Sequence, residues 1–185
     1  MDPREDRLAE PHVRPLMALV HGLRARGLEV PNVDPNDGGA NATALFLLES
    51  PGPRAVTSYF VSRDNPDPSA KNLSVELDIA GFARAEVLLW NVVPHCVSTK
   101  EQNRNASPAQ VREAIPDTQA FLDCLPALRV VVFCGRRAQR AQQLLRLRDT
   151  VTALSTFHPG AMSYNHLRCR EDIRATFKQA REWSR

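Results

Sequence analysis

Four short apolar runs, each ending at a polar or turn-forming residue, constrain this chain more than any other feature. They are Ala44 to Leu48, Val87 to Asn91, Val130 to Gly135 and Val151 to Phe157. The first, ALFLL, is too apolar for a strand with one wet face, because side chains alternate faces along a strand. Helical stretches separate the runs, roughly at 69–81, 108–124, 136–147 and 170–183. Alternating strands and helices predict a three-layer α/β/α sandwich around a central four-stranded parallel sheet. A further helix is expected within residues 4–26, from Leu8, Val13, Leu16, Leu19, Val20 and Leu23 at helical spacing. Pro11 and Pro15 break its start and Gly27 caps its end. The segment PNVDPNDGGAN that follows is rich in turn-forming residues and reads as a loop.

In open parallel sheets, ligands bind in the crevice beyond the carboxyl ends of the strands. Glu49 closes the first run, Asn91 the second, Gly135 the third, and His158 follows the fourth. An acid, an amide and an imidazole therefore point toward one edge of one sheet. Polar residues also cap strands simply because the chain meets water there. The functional reading thus requires these three side chains to meet around one cavity.

Composition narrows the alternatives. The 185 residues are 43% hydrophobic, enough for the core of one α/β domain spanning the whole chain. No apolar run reaches the roughly 18 residues of a membrane span, and MDPREDRLAE lacks the apolar core of a signal peptide. A soluble, cytoplasmic monomer without a membrane partner is expected. The net charge of +3 points only weakly to nucleic acid, although nearly all the cations are Arg, which suits bidentate phosphate contact. Four cysteines, Cys96, Cys124, Cys134 and Cys169, form no CxxC pair and suggest neither zinc nor a disulfide framework. No Gly-rich phosphate cradle is present, which counts against a small-molecule nucleotide-binding domain.

The sequence around the run ends resembles the uracil-DNA glycosylase superfamily. ESPG at 49–52 is similar to that superfamily's first motif, GEAPG in its iron–sulfur branch and GQDPYH in its best-known branch. HPG at 158–160 is similar to the second motif, HPS or HPA. WNVVPHC, FVSRD and VVVFCGRRAQRAQQLL resemble the iron–sulfur branch's TNVVKC, FVGRSG and strand–glycine–helix segments. Each match is short, and the specificity comes from five of them in one order.

The resemblance implies a monofunctional DNA-repair glycosylase that cuts uracil from the sugar, with no cofactor or metal and with single- or double-stranded DNA as partner. Asn91 matches the asparagine that reads the uracil edge, since one carboxamide both donates and accepts and so pairs with N3–H and O4 together. Cytosine inverts that pattern and would leave buried groups unpaired. Phe60 matches the aromatic that stacks on the flipped base, and Ser50, Pro51 and Gly52 belong to the substrate-binding motif. His158 matches the histidine that donates to uracil O2 as negative charge grows there. Glu49 is the first candidate for positioning or activating water, or for stabilising the positive sugar of an oxocarbenium-like transition state, and Asp64 is the second candidate for activating water. Phe60 also reads as ordinary core, and His158 as a strand-end residue bonded to backbone.

Two departures qualify the resemblance. Leu48 stands where the first motif opens with glycine. The iron–sulfur branch uses four cysteines including an N-terminal pair, whereas here only Cys96 aligns with a cluster ligand, so no cluster is expected. A target base inside a duplex must be flipped out or presented on a single strand. The loop after the second motif supplies two candidate wedges, Met162 and Tyr164. Arg63, Lys71 and Arg136 are candidate phosphate contacts, with Arg137, Arg168 and Arg170 beside them. The competing reading is a binding protein of the same fold, for uracil-containing or damaged DNA, with altered or lost catalysis.

Overall fold

The computed structural model describes residues 2–98 and 104–185. Its central sheet is wholly parallel. Strand β1 (Asn32–Val33) pairs with β3 (Phe60–Val61) as a separate short ladder. The main sheet contains β2 (Ala44–Leu48), β4 (Val87–Asn91), β5 (Val130–Cys134) and β6 (Thr152–Thr156), in the order β4-β2-β5-β6. After β2 the chain moves to one side of that strand for β4 and then crosses to the other side for β5. The reversal makes a switch point at the carboxyl end of β2, where α/β sheets place their ligands.

The four expected strands are all present, and β2, β4 and β5 are buried on both faces apart from a half-buried Leu48. Helices cover both sides. Helices α3 (Pro68–Ala80) and α7 (Leu167–Trp183) pack together on one face. On the other, α4 (Pro108–Asp123) packs against both α1 (Arg14–Ala25) and α5 (Arg136–Gln142). Phe46 of β2 meets Phe177 of α7 at 4.6 Å between ring centroids. Trp90 of β4 stacks on Phe121 of α4 at 4.3 Å, with an interplanar angle of 6°. Each fully buried large side chain of this kind contributes roughly 1.5–3 kcal/mol.

The helices begin and end where side-chain chemistry dictates. Asp67 caps α3 by accepting from the Ser69 and Ala70 amides at 2.9 and 3.0 Å. Ser107 and Gln110 form a reciprocal capping box on α4. The expected first helix is shorter than its pattern, since residues 5–7 form an isolated 3-10 turn and α1 starts only at Arg14, with Pro15 in its first turn. Two short helices, α2 (Pro53–Ser58) and α6 (Ala161–Tyr164), have too few residues to show a period.

A charged cluster forms in the loops that follow β1 and β3, joined by Arg4 and Arg84. Asp34, Asp37 and Arg63 are all more than nine-tenths buried. Arg84 donates to Asp37, Asp34 and Asp64, at 3.0 Å in each case, and Arg4 reaches Asp34 at 3.1 Å. Arg63 stands 3.7 Å from Asp37 without a hydrogen bond. Burial pushes the Asp37 carboxyl up to about 7, against the opposing pull of Arg63 and Arg84. The folded state therefore holds a proton that the unfolded chain releases, so this residue's contribution falls as pH rises from the ordinary carboxylate range to about 7. Asp37→Asn should lack that fall. In urea unfolding at about pH 5 and about pH 8, the stability difference should move in the variant's favour at the higher pH. A pH-independent difference would contradict it.

Candidate active site

A cavity of about 550 Å³ opens at the carboxyl ends of the central strands. Glu49, Asn91 and His158 all line it, together with Ser50, Pro51, Gly52 and Met162. Register explains the meeting of the first two. Leu48 pairs with Asn91 at the end of the β2–β4 ladder, and backbone bonds continue beyond it, from Val92 to the Leu48 carbonyl and from Val93 to the Glu49 carbonyl, both at 2.9 Å.

Asn91 is 4% exposed, and among the described residues its carboxamide has no hydrogen-bond partner. Its carboxamide is not sealed in the core but lines the cavity, so water or a bound molecule there can pair with it. Glu49 is half-buried, and its Oε1 accepts the Ala106 amide at 2.5 Å. Burial raises its carboxyl above the usual range, while the Ala106 hydrogen bond and nearby Arg137 pull it back. Its Oε2 makes no hydrogen bond among the described residues, which leaves a basic oxygen beside the cavity.

His158 is held differently. Its Nδ1 accepts the Gly160 amide at 2.9 Å, so the neutral ring carries its proton on Nε2. Protonation would set two N–H groups against each other at Nδ1. Burial lowers the imidazole from its ordinary value, with Asp67 opposing. The ring is therefore a neutral donor at the cavity wall. Two glycines make room for it. A Cβ on Gly135, which has φ of +90°, would lie 2.9 Å from the His158 Cβ, and one on Gly160 would lie 2.9 Å from Nδ1. The sequence marks Gly135 as a strand end but gives no sign that its missing side chain accommodates the histidine.

Other expected site residues lie elsewhere. Phe60 is fully buried in β3, with the Arg4 guanidinium 4.0 Å from its ring centroid, and it does not line the cavity. Arg63 is 6% exposed beside Asp37, so its guanidinium is not presented to a phosphate. Asp64 is bound by Arg84, whose hydrogen bond holds its carboxyl below the usual range, away from the cavity lining. In each case a charged side chain outside the cavity is the near partner: Arg4 for Phe60, Asp37 for Arg63 and Arg84 for Asp64. Tyr164 donates its hydroxyl to buried Glu76 at 2.6 Å. Burial would raise that carboxyl, but the bonds from Arg174 and Tyr164 hold it low. Tyr164 thus anchors α6, whereas Met162 is 87% exposed at the cavity rim. Lys71 and Arg136 are exposed near the starts of α3 and α5, outside the lining.

The cysteines do not fit an iron–sulfur cluster. Cys134 is buried within β5, Cys124 closes α4, Cys169 lies on α7, and Cys96 lies in the loop after β4. Among the described residues no group of three or more His, Cys, Asp or Glu side chains is placed to hold a metal ion.

Two outcomes test this geometry. In an NMR titration the His158 imidazole should stay neutral to a pH below the ordinary histidine value; titration at or above that value would contradict it. Gly135→Ala should cost about 1–3 kcal/mol in chemical denaturation, since it forces both a left-handed φ and an overlap with His158. An unchanged unfolding midpoint would show that the loop yields freely.

Comparison with known proteins bears on the same framework. Curated protein sequences give no match to this chain. Among solved structures, a variant of mimivirus UNG in complex with UGI is similar at 14% identity and a TM-score of 0.44, covering 84% of this chain and 67% of that one. The family model described as the uracil DNA glycosylase superfamily matches residues 35–182, a span that contains every strand of the main sheet and all three side chains converging on the cavity. The chain belongs to the uracil DNA glycosylase superfamily.

Proposed function

We propose that the protein hydrolyses the N-glycosidic bond of uracil in DNA and leaves an abasic site. The observation that carries this reading is the convergence of Glu49, Asn91 and His158 on one cavity, with the Asn91 carboxamide unpaired among the described residues. An amide that donates and accepts side by side complements the O4 and N3–H edge of uracil, and cytosine would meet it with the inverse pattern.

The chemistry follows from the donors available. As the bond from C1′ to N1 breaks, its electron pair leaves with the base, and charge grows on O2. The His158 Nε2–H donates to that oxygen without giving up its proton, and such a donor is worth roughly 3–4 kcal/mol. Glu49 orients the water whose oxygen bonds to C1′ and accepts its proton. Met162 fills the gap left in the base stack, and Lys71 and Arg136 are the exposed candidates for phosphate contact. Among the described residues no helix is long and apolar enough to cross a membrane.

A labelled oligonucleotide carrying one uracil provides the test. Enzyme treatment followed by alkali should break the strand at that position, whereas a retarded, intact oligonucleotide would favour binding without catalysis. Asn91→Asp should lower uracil excision by about 10²-fold or more, on the scale of discrimination by a mispaired polar edge. Unchanged kinetics in that variant would remove Asn91 from the base pocket.

A further inference from the structure

One peptide group links helix α3 to the His158 ring. The Asn72 side chain donates its Nδ2–H to the Pro159 carbonyl at 2.8 Å. The peptide bond that carries this carbonyl also carries the Gly160 N–H, which donates to His158 Nδ1 at 2.9 Å. The chain of bonds therefore runs from Asn72 through the Pro159–Gly160 amide to the imidazole. Hydrogen bonds in series polarise one another, so a donor on the carbonyl strengthens the N–H on the far side of the same amide.

Local sequence makes this link specific. Proline at 159 contributes no N–H of its own and stiffens the turn. Glycine at 160 is required because a Cβ there would come within 2.9 Å of Nδ1. One turn further along α3, Glu76 accepts the Tyr164 hydroxyl at 2.6 Å. Residues 72 and 76, four apart on one helix face, thus hold both ends of the segment from His158 to Tyr164.

We propose that Asn72 is a positioning residue. Through the shared peptide group it fixes which nitrogen of His158 carries the proton and holds that N–H toward the cavity. Without the bond from Asn72 the peptide plane is free to rotate. Its N–H then leaves Nδ1, and the ring samples both neutral tautomers. The tautomer claim is independent of the substrate, and only its kinetic consequence rests on the glycosylase reading.

The test compares the wild-type protein with Asn72→Ala and with Asn72→Asp, which keeps the shape but replaces the donor with an acceptor. The ¹⁵N shifts of the His158 ring, assigned against His158→Gln, report the tautomer at a pH where the ring is neutral. The wild type should show protonated Nε2 and bare Nδ1, while the variants should show averaging toward both forms at a similar unfolding midpoint. On a uracil oligonucleotide, kcat should fall roughly tenfold with KM within about twofold, the low end of the loss seen when a metal-bound imidazole loses its outer partner. If one variant fails to fold, the other carries the test. Mixed tautomers in the wild type would overturn the proposal, as would a folded variant that keeps both the single tautomer and its kcat. An oligonucleotide left uncut by every form would count against the proposed reaction, and the NMR comparison would still decide the role of Asn72.

Discussion

The parallel ladder between β2 and β4 is the constraint on which the rest of the site depends. Its register places Leu48 opposite Asn91, and two more backbone bonds beyond the strand ends fix Glu49 against Val93. A shift by one residue would exchange the faces on which Trp90 and Asn91 lie and take the carboxamide out of its place beside Glu49, because successive side chains face opposite ways. The stacking of Trp90 on Phe121 opposes such a slip. Core packing and site geometry are therefore one problem here, and the apolar strands serve chemistry by holding register.

His158 comes from the opposite side of the switch point, after edge strand β6, and it is secured by other means. Gly135 and Gly160 give it space, the Gly160 amide selects its tautomer, and α3 holds the turn that carries it. The imidazole is held by backbone and by a helix rather than by a carboxylate. A neutral ring in that setting donates without acquiring charge, and burial favours the neutral form. Glu49 lies under opposite influences, since burial favours its protonated form while the Ala106 amide and Arg137 favour the carboxylate.

A second polar centre lies apart from the cavity, where Asp34, Asp37 and Asp64 meet Arg4, Arg63 and Arg84. Its pairing is incomplete, since Asp37 Oδ2 and two nitrogens of Arg63 are buried without hydrogen-bond partners among the described residues. Breaking one partner of such a cluster costs more than its net contribution to stability, because the remaining charge stays buried. The cluster also holds the N-terminal segment, through Arg4, over Phe60.

Hydrophobic runs and strand-end polarity were enough to read the sandwich, the four main strands, and Glu49, Asn91 and His158 as one group. These are local properties, since an apolar run flanked by turn residues has few ways to be buried, and a parallel sheet sends all its strand ends to one edge. Residues whose surroundings come from distant sequence were not legible in this way. Phe60, Arg63 and Asp64 sit within five residues of one another in a motif-like stretch, yet Arg4, Asp37 and Arg84 determine their environment. Tyr164 was read as a wedge alongside Met162, and only the fold shows its hydroxyl bound to Glu76, 88 residues away. Asn72 carries no signal in the chain, because its partner is a backbone carbonyl 87 residues away. Pattern along the chain determined which residues leave the sheet at its carboxyl edge; long-range pairing, which depends on charges and carbonyls far apart in sequence, decided which of them face the cavity.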